Sequence, residues 1–199
     1  MRLPKFTKRY HLKDYKMNLV ILVLALSILG VFVIGSAEPD NQSRQIIGLI
    51  IALTAMVVVS LIDYVWLMDF YWLIYGFVIL ILGAVLIIGT EVNGATRWIN
   101  LGFTNFQPSE LAKILLILFF AKFIAEHEDD INDKKTLLKY AALCAVPLAL
   151  IIAEPNLSTT ICTALVLCLL IYIGGLSYKF IATVLVILIP TAIIFLAIV

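Results

Sequence analysis

Residues 17–37, MNLVILVLALSILGVFVIGSA, carry no charged side chain. A helix needs about 20 predominantly apolar residues to cross the hydrocarbon core of a bilayer, and this run is long enough. Working outward along the chain, comparable runs recur at 45–62, 70–90, 109–125, 136–153, 155–178 and 180–199. The fourth is interrupted by Lys113 and Lys122, and the fifth is short and carries Lys139 near its start. All are continuously apolar rather than alternating, which selects helices over a closed β-barrel, the other architecture that pairs every backbone group inside lipid. The expected fold is all-α: a polytopic membrane bundle of seven transmembrane helices, forming a single transmembrane domain over 1–199.

Composition supports this reading. The chain is 63% hydrophobic and 14% charged, with a mean hydropathy of +1.11. A water-soluble domain of this size could not hide so much apolar surface. The membrane is the expected surrounding, and no nucleic-acid partner is expected. Cys144, Cys162 and Cys168 sit inside apolar stretches with no CxxC spacing, so they read as small buried hydrophobes and no metal site is expected. No cofactor is implied, and a divalent-cation requirement is not legible in the residues. The first run lacks a convincing small-residue cleavage site, so it reads as an uncleaved first helix.

Lys and Arg set the orientation. With seven spans, the N-terminus and the loops near 63–69, 122–139 and 174–179 share one side. That side holds Arg2, Lys5, Lys8, Arg9, Lys13, Lys16, Lys122, Lys134, Lys135, Lys139 and Lys179, whereas the other holds Arg44 and Arg97. Residues 1–16 are therefore expected to form a basic cytoplasmic N-terminus, and 91–108 an extracellular loop. The aromatic residues around Asp63 and Asp69 fit an interfacial belt. The chain ends at Val199 without a polar tail, which leads to the expectation of a truncated chain.

Chemistry concentrates in 93–113, NGATRWINLGFTNFQPSELAK. Asn93-Gly94 is a turn signal. Arg97-Trp98 puts a cation beside an amphipathic ring, an arrangement that a snorkelling arginine at the interface would also produce. Pro108 suits a helix's first turn, and an acid there is favoured by the helix dipole. Those two effects account for Pro108, Ser109 and Glu110 but not for Lys113. Spacing i,i+3 puts Lys113 on the face of Glu110, as a structural ion pair or as the lining of a polar cavity. Ionisable groups at membrane depth are costly and mark functional sites. A third polar stretch, EPNLSTT at 154–160, lies between the fifth and sixth spans. Asn156 or Ser158 can cap the following helix, and Glu154 stands at a depth similar to Glu110. Three outward-opening polar groups on separate helices are thus expected to share one site.

GATRWINLGFTNFQPSELAK at 94–113 resembles the signature of the SEDS proteins (shape, elongation, division and sporulation), with FQPSELAK its most specific part. EPNLSTT resembles the family's second motif, commonly QPDLGT, and KDYKMNLVILVLALSILGVFVIGSA at 13–37 its first helix. Members have ten helices, so seven spans correspond to an N-terminal portion of that fold. The resemblance implies a peptidoglycan glycosyltransferase that polymerises lipid II, the undecaprenyl-pyrophosphate-linked disaccharide pentapeptide. The reaction would run at the outer face of the bacterial cytoplasmic membrane, beside a class B penicillin-binding protein. It implies supporting catalytic roles for Glu110 and Lys113. It also makes Arg97, Trp98, Gln107, Ser109, Glu154 and Asn156 candidate substrate-binding residues. The family's essential acid follows the seventh helix, past Val199, so these 199 residues alone are expected to be inactive. Glu154, Asn156 and Ser158 stand where Gln, Asp and Gly are common, which moves the carboxylate by two positions. A lipid II flippase and a non-catalytic scaffold for a penicillin-binding protein are the competing readings. The absence of a visible inverted repeat weakens the flippase reading. The short N-terminus and the DY…GSA opening look more like the elongation branch than the division branch.

Overall fold

The computed structural model describes residues 16–92, 95–100, 102, 105–178 and 180. Seven helices occur among them: α1 (Met17–Ala37), α2 (Pro39–Ser60), α3 (Tyr64–Met68), α4 (Tyr71–Ile88), α5 (Pro108–Glu126), α6 (Lys134–Ala153) and α7 (Leu157–Ile173). α1, α2, α4 and α6 are long and apolar enough to cross a membrane, and α7 is a shorter apolar helix. The expected run at 180–199 lies outside the described residues except for Phe180. The short α3 occupies the aromatic stretch read as a loop. The chain divides into two units, one holding α1–α3 and the other α4–α7 with a small sheet.

In the first unit, α1 and α2 pack as a hairpin hinged at Glu38. The second helix begins six residues before the apolar run at 45–62. Pro39 sits in its first turn and Asp40 follows at the positive end of the dipole, both favourable there. A helix can therefore continue into polar sequence that hydropathy alone excludes. No residue of either helix is buried. The hydroxyls of Ser36, Thr54 and Ser60 donate to carbonyls one turn back at 2.9, 2.8 and 2.7 Å, which satisfies them without water. Asp63 caps α3, its carboxylate accepting from the Val65 amide at 2.9 Å.

In the second unit α5 packs on both α4 and α7, while α6 packs on α4 and α7. The buried face of α5 reads Ser109, Ala112, Leu116, Phe119, Phe120 and Phe123, a helical stripe of three- and four-residue steps. Phe119 touches the rings of Tyr71, Trp72 and Tyr75 with centroids 5.5, 5.2 and 4.6 Å apart, and Phe120 meets Tyr140 at 4.7 Å. Such offset and edge contacts add to area burial.

Several polar atoms inside this unit find specific partners. Pro147 lies within α6; it lacks an N–H, so the carbonyl of Leu143 loses its usual intrahelical donor. The Tyr75 hydroxyl replaces it at 2.9 Å. Tyr140 likewise donates to the Leu167 carbonyl at 2.7 Å, joining α6 to α7. Lys139 is accommodated near the start of α6 because its ammonium lies 5.9 Å from the Trp72 ring and 5.1 Å from the Phe123 ring, a cation–π setting.

The stretch read as an extracellular loop is not structureless. It holds three antiparallel strands, β1 (Thr90–Val92), β2 (Ala95–Asn100) and β3 (Asn105–Phe106), in the order β1-β2-β3. Thr90 pairs with Trp98 and Val92 with Ala95, with a bulge between Thr90 and Glu91. Ile99 pairs with Phe106. This sheet packs through β2 onto α4 and α5. Gly89 allows the close approach: a Cβ there would collide with the Val85 carbonyl and lie 2.8 Å from Thr96 Cγ2.

Candidate functional site

One end of the second unit gathers the C-termini of α4 and α6, the N-termini of α5 and α7, and the sheet. This follows from the chain order, because α4 leads through the sheet into α5 and α6 turns directly into α7. Every candidate residue named from the sequence lies at this end.

The start of α5 supplies four of them. Gln107 is the N-cap residue, yet its side chain does not bond the helix backbone. Its Nε2 instead donates to Ser109 Oγ at 3.2 Å. Ser109 is fully buried. Glu110 and Lys113 form the expected i,i+3 ion pair, Oε1 to Nζ 2.9 Å, with side chains 55% and 21% exposed respectively. The carboxylate is thus the outer partner and the ammonium the inner one. The acid benefits from the helix's positive end, and the cation is held about one turn deeper.

β2 supplies Arg97 and Trp98, both half-buried. Arg97 shares a strand face with the buried Ala95, because side chains two apart point the same way. Its Nε is buried and lacks a hydrogen-bond partner. The strand carbonyl of Trp98 accepts from the Thr90 hydroxyl at 3.1 Å, which holds this segment against β1. Arg97 makes no ion pair among the described residues.

The α6–α7 turn supplies Glu154 and Asn156. Asn156 caps α7, its Oδ1 accepting from the Thr159 amide at 3.3 Å, while its Nδ2 is buried and unpaired. Of the two capping candidates, Asn156 fills the role and Ser158 is an exposed residue of α7. The Thr160 hydroxyl donates to the Asn156 carbonyl at 2.9 Å and Thr163 to that of Thr159 at 2.7 Å. Glu154 was expected to open outward like Glu110, and it does not. It is 0% exposed, and both carboxylate oxygens lack a well-formed hydrogen bond. Burial pushes its carboxyl up to about 7, and the adjacent Ser109 hydroxyl offsets this only in part.

The structure therefore brings Gln107, Ser109 and Glu154 into one contiguous polar group and pairs Glu110 with Lys113. Chemically, the end offers two cationic side chains and a buried acid. An ammonium and a guanidinium suit oxygen-rich anions, the guanidinium through a fixed fork of donors. Sequence reasoning missed the burial of Glu154, because a charged residue beside a proline at a helix end reads as a solvated turn. The Gln107–Ser109 contact was also unforeseen; only its i,i+2 spacing at a helix start hinted at it.

The family profile described as cell cycle protein, FtsW/RodA/SpoVE, matches residues 15–199. The chain is 31% identical over 170 residues to the probable peptidoglycan glycosyltransferase FtsW of Acinetobacter baylyi, covering 79% of this chain and 42% of that protein. It is 32% identical over 167 residues to the peptidoglycan glycosyltransferase MrdB of Escherichia coli K12, covering 82% and 45%. A solved structure described as the structural coordination of polymerization and crosslinking by a peptidoglycan synthase complex superposes with a TM-score of 0.79 at 29% identity. It covers 90% of this chain and 55% of that one. The chain spans about half the length of the curated relatives it matches.

Proposed function

The chain belongs to the SEDS family of multi-pass membrane proteins, and from that premise we propose that it takes part in peptidoglycan glycosyl transfer from lipid II. The observation that carries this reading is the Glu110–Lys113 pair, 2.9 Å apart in the first turns of α5, at the same end as the unpaired Arg97 Nε.

In such a reaction a sugar hydroxyl attacks an anomeric carbon and a polyprenyl pyrophosphate departs. Negative charge grows on the pyrophosphate, and cations already in place lower that barrier without having to reorganise. Lys113 and Arg97 are the residues proposed to hold it, with Glu110 orienting the Lys113 ammonium. Trp98, on the opposite face of β2 from Arg97, offers a flat apolar surface for the lipid or sugar, and Gln107 and Ser109 complete the helix start. Deprotonation of the attacking hydroxyl calls for a general base, a role a carboxylate can fill. Glu110 is committed to Lys113 and Glu154 is buried, so that role is not assigned to either. The sheet-bearing end is proposed to face outward and the N-terminus the cytoplasm, as the Lys and Arg distribution requires. The likeness to a structure of a peptidoglycan synthase complex supports a crosslinking transpeptidase, a class B penicillin-binding protein, as partner.

The test is lipid II polymerisation by the protein isolated from its own membrane, with and without Lys113→Ala. The expected loss is on the order of 100-fold or more, as for removal of one preorganised charge-stabilising group. Polymer formed at the wild-type rate by Lys113→Ala would remove Lys113 from the mechanism. Lipid movement without polymer in the wild type would favour a flippase.

A further inference from the structure

Glu154 is not explained by the ion-pair chemistry of α5. A carboxylate taken wholly out of water needs donors on its oxygens or a cation beside it, and otherwise becomes the neutral acid. Among the described residues no ion pair reaches Glu154, and the Ser109 hydroxyl offsets its burial only in part. Glu154 is 0% exposed and its oxygens have no well-formed hydrogen bond. The charged and titratable groups around it can be named element by element. On α5 these are Glu110 and Lys113, already paired with each other. The last two turns of α4 and the first turn of α7 carry none. Arg97 is on β2, which packs on α4 and α5. Among the described residues the group beside the Glu154 carboxyl is the Ser109 hydroxyl, which favours the charged form and so opposes the effect of burial.

Ser109 is also the link to the rest of the site. Its oxygen accepts from Gln107 Nε2 at 3.2 Å, and it is itself fully buried in the first turn of α5. A neutral Glu154 needs one acceptor for its O–H, and a serine oxygen has a second lone pair to offer. An ionised Glu154 would need several donors, and the cluster supplies one, the Ser109 hydroxyl hydrogen, which stays free because the Ser109 oxygen accepts from Gln107. One donor offsets only part of the burial penalty, so the neutral acid is the form that keeps the Gln107–Ser109–Glu154 group without a fully buried charge.

We propose that Glu154 is a proton-carrying positioning residue, which as a neutral acid holds the α6–α7 turn against Ser109 and thereby sets the first turn of α5 that presents Glu110 and Lys113. Losing its proton to solvent leaves a buried charge at the turn and loosens that helix start. Because the folded-state carboxyl is raised from 4.5 to about 7, the folded form binds this proton more tightly than the unfolded chain does. The stabilising contribution is complete below about pH 4.5 and is lost as pH rises through about 7. The functional consequence rests on the glycosyl-transfer reading above, but the protonation itself does not.

The test compares the full chain in lipid nanodiscs with Glu154→Gln, an isosteric side chain that cannot ionise. The expected result is a carboxylic-acid carbonyl band in the infrared spectrum that titrates near pH 7 in the wild type and is missing in Glu154→Gln. Amide hydrogen exchange across 108–113, corrected for its intrinsic pH dependence, should rise through the same range in the wild type and stay flat in the variant. A purely structural glutamate would change overall stability without giving the two proteins different pH profiles. Identical infrared titrations, or identical exchange profiles, overturn the proposal. A Glu154-dependent band and exchange profile, together with no polymer from lipid II by the protein isolated from its own membrane, would sink the glycosyl-transfer reading and leave this one standing.

Discussion

At the residue scale, the informative side chains are those whose polar atoms are solved in an unusual way. Tyr75 is one. Its hydroxyl donates at 2.9 Å to the Leu143 carbonyl, which Pro147 deprives of its helical partner. Tyr75→Phe keeps the ring and removes the donor, so a part-buried carbonyl is left unpaired at a cost of about 1 kcal/mol. Thermal unfolding in detergent should show that loss. Pro147→Ala restores an amide one turn away, so the cost of Tyr75→Phe should shrink in that background. An equal cost in both backgrounds would separate the hydroxyl from the proline. Lys113 and Glu154 sit at the opposite pole of legibility. The sequence marks both as ionisable groups near a membrane and puts Lys113 on the face of Glu110, but that Glu154 is buried depends on neighbours far along the chain.

At the element scale, helix limits follow from capping and from contacts as much as from hydropathy. α5 begins at Pro108 and α6 ends at Ala153, within a residue of the sequence reading, because Pro108 and Pro155 punctuate the chain there. α7 stops at Ile173, five residues short of the apolar run, at Gly174 and a left-handed Gly175. A tertiary clamp accompanies that end. Asn132, in the α5–α6 connection, donates to the Gly175 carbonyl at 3.0 Å and accepts from the Ser177 amide at 2.7 Å. Asn132→Ala should cost about 1 kcal/mol, since two exposed hydrogen bonds each contribute modestly. The sharper signature is faster hydrogen exchange at the Ser177 amide. Unchanged exchange there would mean that the clamp is incidental. α5 itself was the least secure span in the sequence because Lys113 and Lys122 interrupt it. Both lysines are carried by acids on the same helix, Glu110 at 2.9 Å and Glu126 at 3.2 Å, so the helix keeps its register through the interruptions.

At the scale of the whole molecule, orientation is the open physical quantity, and it is testable. The charge asymmetry predicts that a cysteine placed at Glu91, beside the site, reacts with a membrane-impermeant maleimide added outside intact cells. One placed at Asp129, in the α5–α6 connection, should react only after the membrane is opened. The reverse pattern would put the candidate site on the cytoplasmic face, where outer-face polymerisation is excluded. The sheet matters at this scale too. Its sequence reads as a loop because β1 and β3 are three and two residues long, too short for alternation to register. Their pairing with β2 gives a small sheet that packs through β2 onto α4 and α5.

What the residues by themselves determined is the membrane-spanning helical class, most helix positions, the shared helix face of Glu110 and Lys113, and the family. All of these depend on apolar run length, i,i+3 spacing or a contiguous motif, and such local properties survive without a fold. The tertiary structure alone decided that Tyr75 serves a carbonyl freed by Pro147, that the loop pairs into a sheet, and that Glu154 is buried against Ser109. Each of those joins residues from different helices or strands. Burial, which decides whether a carboxyl keeps its charge, is a property of the packed neighbours and not of the residue.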